Sequence, residues 1–278
     1  MATSKKRDDE PKKVVTVGED FSFLVPFQDD AESTIAGMAE HRVLNRLKVV
    51  QSLSKPGTKE VGGEGAVLIM PATTLVARMG DSFNFVPFFF FEEFICWSDI
   101  RDQQSPKIQQ RSLDRKSKCA EMARDPKQWA ETYEGGTKDK PFIRRYCEHL
   151  NFAGTIYQAG HELDRVPCVL SFARGEFKIG RQFISNITMR RINGRQAPLW
   201  ATVWECSSAS HKNQTGQEWY GIDVKNAERP YIDPSDVEIF KAEHELLKKA
   251  HADEALSVNM NDAEEEVAAA DPAASTSY

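Results

Sequence analysis

The run "FNFVPFFFFEEFICW", Phe83–Trp97, restricts the fold of this chain more than any other stretch. Its aromatic and β-branched side chains favour extended backbone, where they pack on a pleated surface. Pro87 has no amide hydrogen, so a strand through it must lie at a sheet edge or carry a bulge. Glu92 and Glu93 break the apolar run, which is far shorter than the roughly 20 residues a membrane helix needs. The stretch therefore reads as a strand.

Similar patterns recur along the chain. "RLKVVQSL", "GAVLIM", "NFAGTIYQ" and "VPCVLSF" read as strands, and "SKPGTKEVGGEG" reads as a loop from its Gly and Pro. "TTLVARMG" fits a short helical turn closed by Gly80. "PLWATVWEC" and "EWYGIDV" flank the Ser-, Asn- and Gly-containing "SSASHKNQTGQ", which suits a β-hairpin. Two segments have helical periodicity. In "FKIGRQFISNITMRR", Ile179, Phe183, Ile184 and Ile187 share a face, and the basic residues largely fall elsewhere. In "DPSDVEIFKAEHELLKKAH", Asp233 suits the N-cap and Pro234 the first helical position, with Val237, Phe240, His244 and Leu247 on one stripe.

Residues 99–141 are polar and lack strand alternation; they read as a long excursion with one or two short helices. Residues 1–13 are charged and almost free of apolar side chains, and are expected to be disordered. "VVTV" then reads as a short strand, followed by "SFLVPF". Many short strands with few helices predict a mainly β, α+β chain, built as an OB-like Greek-key barrel or sheet. An α/β fold would need strands and helices in alternation. The expected organisation is one domain over 14–252 followed by a disordered tail over 253–278.

Charge is distributed unevenly. The formal net charge is −6, but the tail holds seven Asp or Glu and no Lys or Arg. The rest of the chain carries 36 basic against 35 acidic residues. From Arg165 to Arg195 there are seven Arg or Lys and one acid, Glu176. A basic segment and an acidic tail on one chain suggest an anionic partner and an internal competitor for it. Five scattered cysteines with no CxxC pair and no signal peptide point to a reducing compartment and free thiols.

Signatures of catalysis are weak. "GGEGAVL" lacks the GK[ST] ending of a phosphate loop and leads into a strand. Asp236, Glu238 and Lys241 in "DVEIFK" have the spacing of some metal-dependent nucleases, but also that of a solvated helix face. Cys147 and His149 would supply two metal ligands with no second pair at zinc spacing. No catalytic residue, metal or cofactor is expected. Aromatic and basic interleaving points to nucleic acid instead. On an alternating strand, Trp200, Thr202 and Trp204 share one face, near Arg190, Arg191 and Arg195. Trp219 or Tyr220 would join them from the hairpin partner. Such a surface stacks bases and holds phosphates without reading sequence. Burial of both tryptophans in the core is the competing reading.

The order from Arg46 to Val224, most recognisably "LSF…KIGRQFISNI" and "GQEWYGIDV", resembles a group of phage-encoded single-stranded-DNA-binding proteins with an OB-like fold. The resemblance implies sequence-tolerant binding in replication or recombination, in the cytoplasm of an infected bacterial host. Phosphate contacts would come from Arg174, Lys178, Arg181, Arg190, Arg191 and Arg195, and stacking from Trp200, Trp204, Trp219 and Tyr220. It also implies a use for the tail. Its seven carboxylates would compete with nucleic acid for the basic groove from a flexible tether, and Glu264, Glu265, Glu266 and Asp271 would also contact a partner protein. Tyr278 would be the tip that docks on a replication protein. The expected partners are single-stranded DNA, replication proteins and, in a homo-oligomer, further copies of the chain, with no membrane. The rival expectations are a phage structural or assembly protein using the same surface for protein contacts, and the nuclease.

Overall fold

A computed structural model describes residues 43–99, 101–125, 127–212, 216 and 218–259, all within the compact unit Glu40–Tyr278. The expectations for 1–13, for "VVTV" and "SFLVPF", and for the acidic residues and tyrosine from Glu264 to Tyr278 lie outside the described residues.

The strands are β1 (Val43–Leu44), β2 (Arg46–Val49), β3 (Val67–Met70), β4 (Thr74–Ala77), β5 (Ser82–Trp97), β6 (Ile108–Ser112), β7 (Ala130–Thr137), β8 (Lys140–Ile156), β9 (Pro167–Ala173), β10 (Arg191–Ile192), β11 (Arg195–Gln196), β12 (Thr202–Lys212), β13 (Glu218–Tyr231) and β14 (Ser257–Val258). The helices are α1 (Pro56–Gly62), α2 (Lys118–Arg124), α3 (Phe177–Met189) and α4 (Val237–Ala252). The expected mainly β, α+β class is what the structure has. Ten strands form one mixed sheet in the order β13-β12-β5-β8-β9-β2-β3-β4, with β6 on β5 and β7 on β8. This is larger than a five-stranded OB barrel, and among the described residues strand pairing does not return from β4 to β13. A side chain makes a partial closure. Gln51, just past β2, donates from Nε2 to the Tyr220 carbonyl at 2.7 Å and accepts the Tyr220 amide at 3.0 Å, joining β13 to the β2 end of the sheet.

Alternation sends successive side chains to opposite faces, and both faces are covered. One face carries Phe83, Phe85, Leu150, Phe152, Leu170, Phe172 and Trp204, and buries Phe183 and Ile187 of α3. The other carries Val86, Phe88, Phe91, Ile95, Trp97, Ala153 and Val169, and buries Phe240, Leu247 and Ala250 of α4. Both predicted helices dock by the predicted stripe. Pro87 lies in the middle of the sheet at a bulge where pairing with β8 shifts between Pro87 and Phe89. The extra residue turns both Phe88 and Phe89 toward α4, where Phe88 meets Phe240 at 4.9 Å and Phe89 meets His251 at 5.3 Å. Gly154 stands opposite, and a Cβ there would lie 2.2 Å from the Val86 carbonyl oxygen.

Several local expectations need correction. "TTLVARMG" is the strand β4 rather than a helical turn, with Gly80 at φ +89 in the turn that follows. "SKPGTKEVGGEG" contains α1, with Pro56 in its first turn. The excursion over 99–141 holds β6, α2 and β7, which lengthen the sheet beside β5 and β8. It is pinned by Asp99, which accepts from the Ile143 amide at 2.9 Å and pairs with Arg101. Asp102 accepts from Ser105, whose amide lies at 3.1 Å, and from Tyr133 Oη at 2.7 Å, and these bonds hold both carboxyls below the usual range, Asp102 at about 2. The segment from Asp253 stays in the fold for several residues. Leu256 and Val258 are buried, and β14 pairs in parallel with β1.

A polar seam crosses the α4 face of the sheet. Glu93 pairs with Arg111 and accepts from Asn151 Nδ2 at 3.3 Å, and His149 meets Ser171 Oγ through Nδ1 at 3.4 Å. Burial, reinforced by Arg46, Arg174 and Arg111, lowers the His149 pKa to about 3 from 6.5. The folded protein therefore leaves this imidazole neutral between those values while the unfolded chain protonates it. Stability is complete above the ordinary histidine pKa and falls by roughly 1.4 kcal/mol per pH unit on acidification below it. Urea unfolding of wild type and His149→Gln between about pH 6 and 4.5 should show the steeper decline in wild type. Equal slopes would contradict this assignment.

Candidate nucleic-acid interface

Helix α3 forms where the apolar residues recur every three or four positions and Gly180 allows close approach. A Cβ on Gly180 would lie 2.8 Å from Phe172 Cβ, so the helix rests directly on β9. Its inner face buries Phe183 and Ile187, and Lys178, Arg181, Gln182 and Ser185 are left exposed. The Arg181 guanidinium lies over the Phe177 ring at 4.8 Å. The helix ends at Met189, and β10 and β11 follow as a small hairpin whose six residues, Arg191 to Gln196, are all exposed. From Phe177 to Trp204 the chain contains no acidic residue. Lys178, Arg181, Arg191 and Arg195 are therefore four exposed cations on two consecutive elements.

The other predicted cations are used differently. Arg190 is half-buried. Its guanidinium stacks on Trp204 at 4.1 Å, donates to the Pro230 carbonyl at 2.8 Å and bonds Asn226. Burial lowers its pKa, and its charge is taken up inside the protein. Arg174 is also half-buried, at φ +49, and donates from Nε to Cys147 Sγ at 3.2 Å.

The predicted tryptophan platform does not form. Pro198 opens a short 3-10 turn, Leu199–Ala201, ahead of β12, so Trp200 is not on the strand. It packs half-buried against the cluster beneath α4, whereas Trp204 belongs to the cluster beneath α3. Trp204 is completely buried, edge-on to Phe183 at 5.1 Å, with Nε1 donating to Thr202 Oγ1 at 2.9 Å. Trp219 is half-buried near the start of α3, stacked on His211 at 5.7 Å, and its indole would touch a Cβ on Gly175 at 3.3 Å. Tyr220 is half-buried, its backbone held by Gln51. Thus Lys178 and Arg181 share the hairpin end of α3 with Trp219 and Tyr220, and Arg191 and Arg195 lie past the other end of the helix.

Sequence reasoning missed Met189 and Ile192, which are 64% and 40% exposed among these cations. "NG" at Asn193 and Gly194 was the available signal, since that dipeptide marks a tight hairpin.

The nuclease trio is not assembled as a set. Asp236 is buried, accepts from Tyr157 Oη at 2.9 Å and pairs with Arg165 at 2.7 Å, while Glu238 and Lys241 are exposed on α4. Cys147 and His149 are buried on the seam. Among the described residues, no three His, Cys, Asp or Glu side chains are grouped so as to hold a metal ion. No described helix is long and apolar enough to cross a membrane.

No curated protein and no solved structure matches this chain. One family model does, covering residues 25–255 and so nearly all of the described fold, and on that match the chain belongs to the Pam3 phage gp34-like protein family.

Proposed function

We propose that this phage protein is a non-enzymatic, sequence-tolerant single-stranded-DNA-binding protein acting in replication or recombination. The observation that supports this most is the acid-free run from Phe177 to Trp204, which presents Lys178, Arg181, Arg191 and Arg195 to solvent. Exposed cations with no acid interleaved attract phosphates without reading bases. Half-buried Trp219 and Tyr220 lie beside the α3 end of this surface and are the remaining aromatic candidates for base contact. The acidic residues Glu264, Glu265, Glu266 and Asp271 would act as a tethered competitor, with Tyr278 contacting a replication partner. The rival is a phage structural or assembly protein whose partner docks on the same surface.

Binding of a dye-labelled oligothymidylate, followed by anisotropy, tests the reading. Lys178→Glu combined with Arg181→Glu should weaken binding about tenfold or more. Truncation after Asn259 keeps the buried Leu256 and Val258 and should tighten binding, most clearly at low salt where screening is least. If the double variant binds as wild type does, the α3 surface is not the site. If truncation leaves affinity unaltered, the tail is not a competitor.

A further inference from the structure

We infer that the β10–β11 hairpin is an apolar wedge that enters between adjacent bases of the bound strand. This inference rests on the nucleic-acid reading above and adds to it how bases are engaged. Asn193 at φ +50 and Gly194 at φ +79 form the tight two-residue turn that matches strand twist in a hairpin. The turn projects a two-stranded ribbon on which every residue from Arg191 to Gln196 is exposed.

The base of the ribbon is held rigidly. Tyr231 Oη donates to the Arg191 carbonyl at 3.0 Å, and the Ala197 amide donates to the Arg190 carbonyl at 3.0 Å. The Arg190 side chain is clamped between Trp204 and the Pro230 and Asn226 acceptors. Rigid anchoring matters because a mobile tip would lose conformational entropy on insertion.

The chemistry of the ribbon points to its occupant. Ile192 is flanked by Arg191 and, across the turn, pairs with Arg195, and Met189 stands exposed just before it. Apolar side chains on a cation-rich segment that carries no acid of its own suit a ligand that is polyanionic outside and flat and apolar inside. An unstacked base step has that character, and apolar side chains inserted at such steps are a recurrent way of engaging nucleic acid. Symmetric pairing of two such hairpins would bring two sets of arginines together, which charge repulsion disfavours.

The test uses the full chain and a single strand carrying 2-aminopurine between adenines, whose fluorescence rises when stacking is lost. Wild type should brighten the probe severalfold at saturation. Met189→Ser combined with Ile192→Ser should bind about fivefold more weakly, keep the salt dependence of wild type and lose most of the brightening. Ile192→Trp should brighten the probe at least as much as wild type, which guards against a serine variant that is merely damaged. A wild type that binds without brightening, or serine and wild-type proteins that brighten it equally, would overturn the wedge and leave the phosphate-binding reading standing. A wild type that sediments as a dimer and a serine variant that sediments as a monomer would assign the apolar tip to self-association instead. Absence of any binding by wild type would remove both readings.

Discussion

Trp204→Ala should destabilise the protein by about 3–5 kcal/mol, the range for emptying a buried aromatic site, while the folded fraction still binds single strands, weakened only through the loosened Arg190 anchor of the β10–β11 hairpin. The ring is fully buried between β12 and α3. Its loss removes the edge contact with Phe183, the surface on which Arg190 stacks, and the partner of Thr202 Oγ1. Thermal unfolding should shift down by on the order of 10 °C for a chain of this size. Trp200→Ala should cost less, because Trp200 is only half-buried. The result that would contradict the assignment is a Trp204→Ala protein that melts as wild type does and binds single strands more weakly, since that is how a base-stacking residue behaves.

The tryptophans show where the sequence is readable and where it is not. Period-two alternation is a sound guide within a strand, and it places Trp204, Cys206 and Val203 on their observed faces. It fails one turn earlier, because Pro198 starts a 3-10 turn and moves Trp200 to the other side of the sheet. The α3 face was readable because Ile179, Phe183, Ile184 and Ile187 repeat at helical spacing. Its cations were readable as a group but not individually. Arg190 and Arg181 look alike in sequence, and only the packed structure separates one stacked on buried Trp204 from one left in solvent.

Polar strands were the hardest elements to read. β7, "AETYEGGT", is almost wholly exposed, so no buried face imposes alternation on it. Its pairing with β8 is set by β8 itself, which extends past the core and offers an edge. α1 carries no buried residue, which removes the periodic signal, although Pro56 at its start was a cue. The beginning of the acidic segment was misleading for the opposite reason. Leu256 and Val258 are two apolar residues in a short stretch between Glu254 and Asp262, yet both are buried once β14 pairs with β1.

Affinity for oligothymidylate at about 50 and about 200 mM salt is the most direct measurement of whether this surface holds phosphates. If Lys178, Arg181, Arg191 and Arg195 each neutralise one phosphate, log affinity should fall against log salt with a slope of about −3, a loss on the order of 50-fold over that range. Reversing Lys178 and Arg181 should reduce the slope by roughly half. An affinity that does not change with salt, or a slope that the double reversal does not alter, would contradict phosphate binding by α3 and the hairpin.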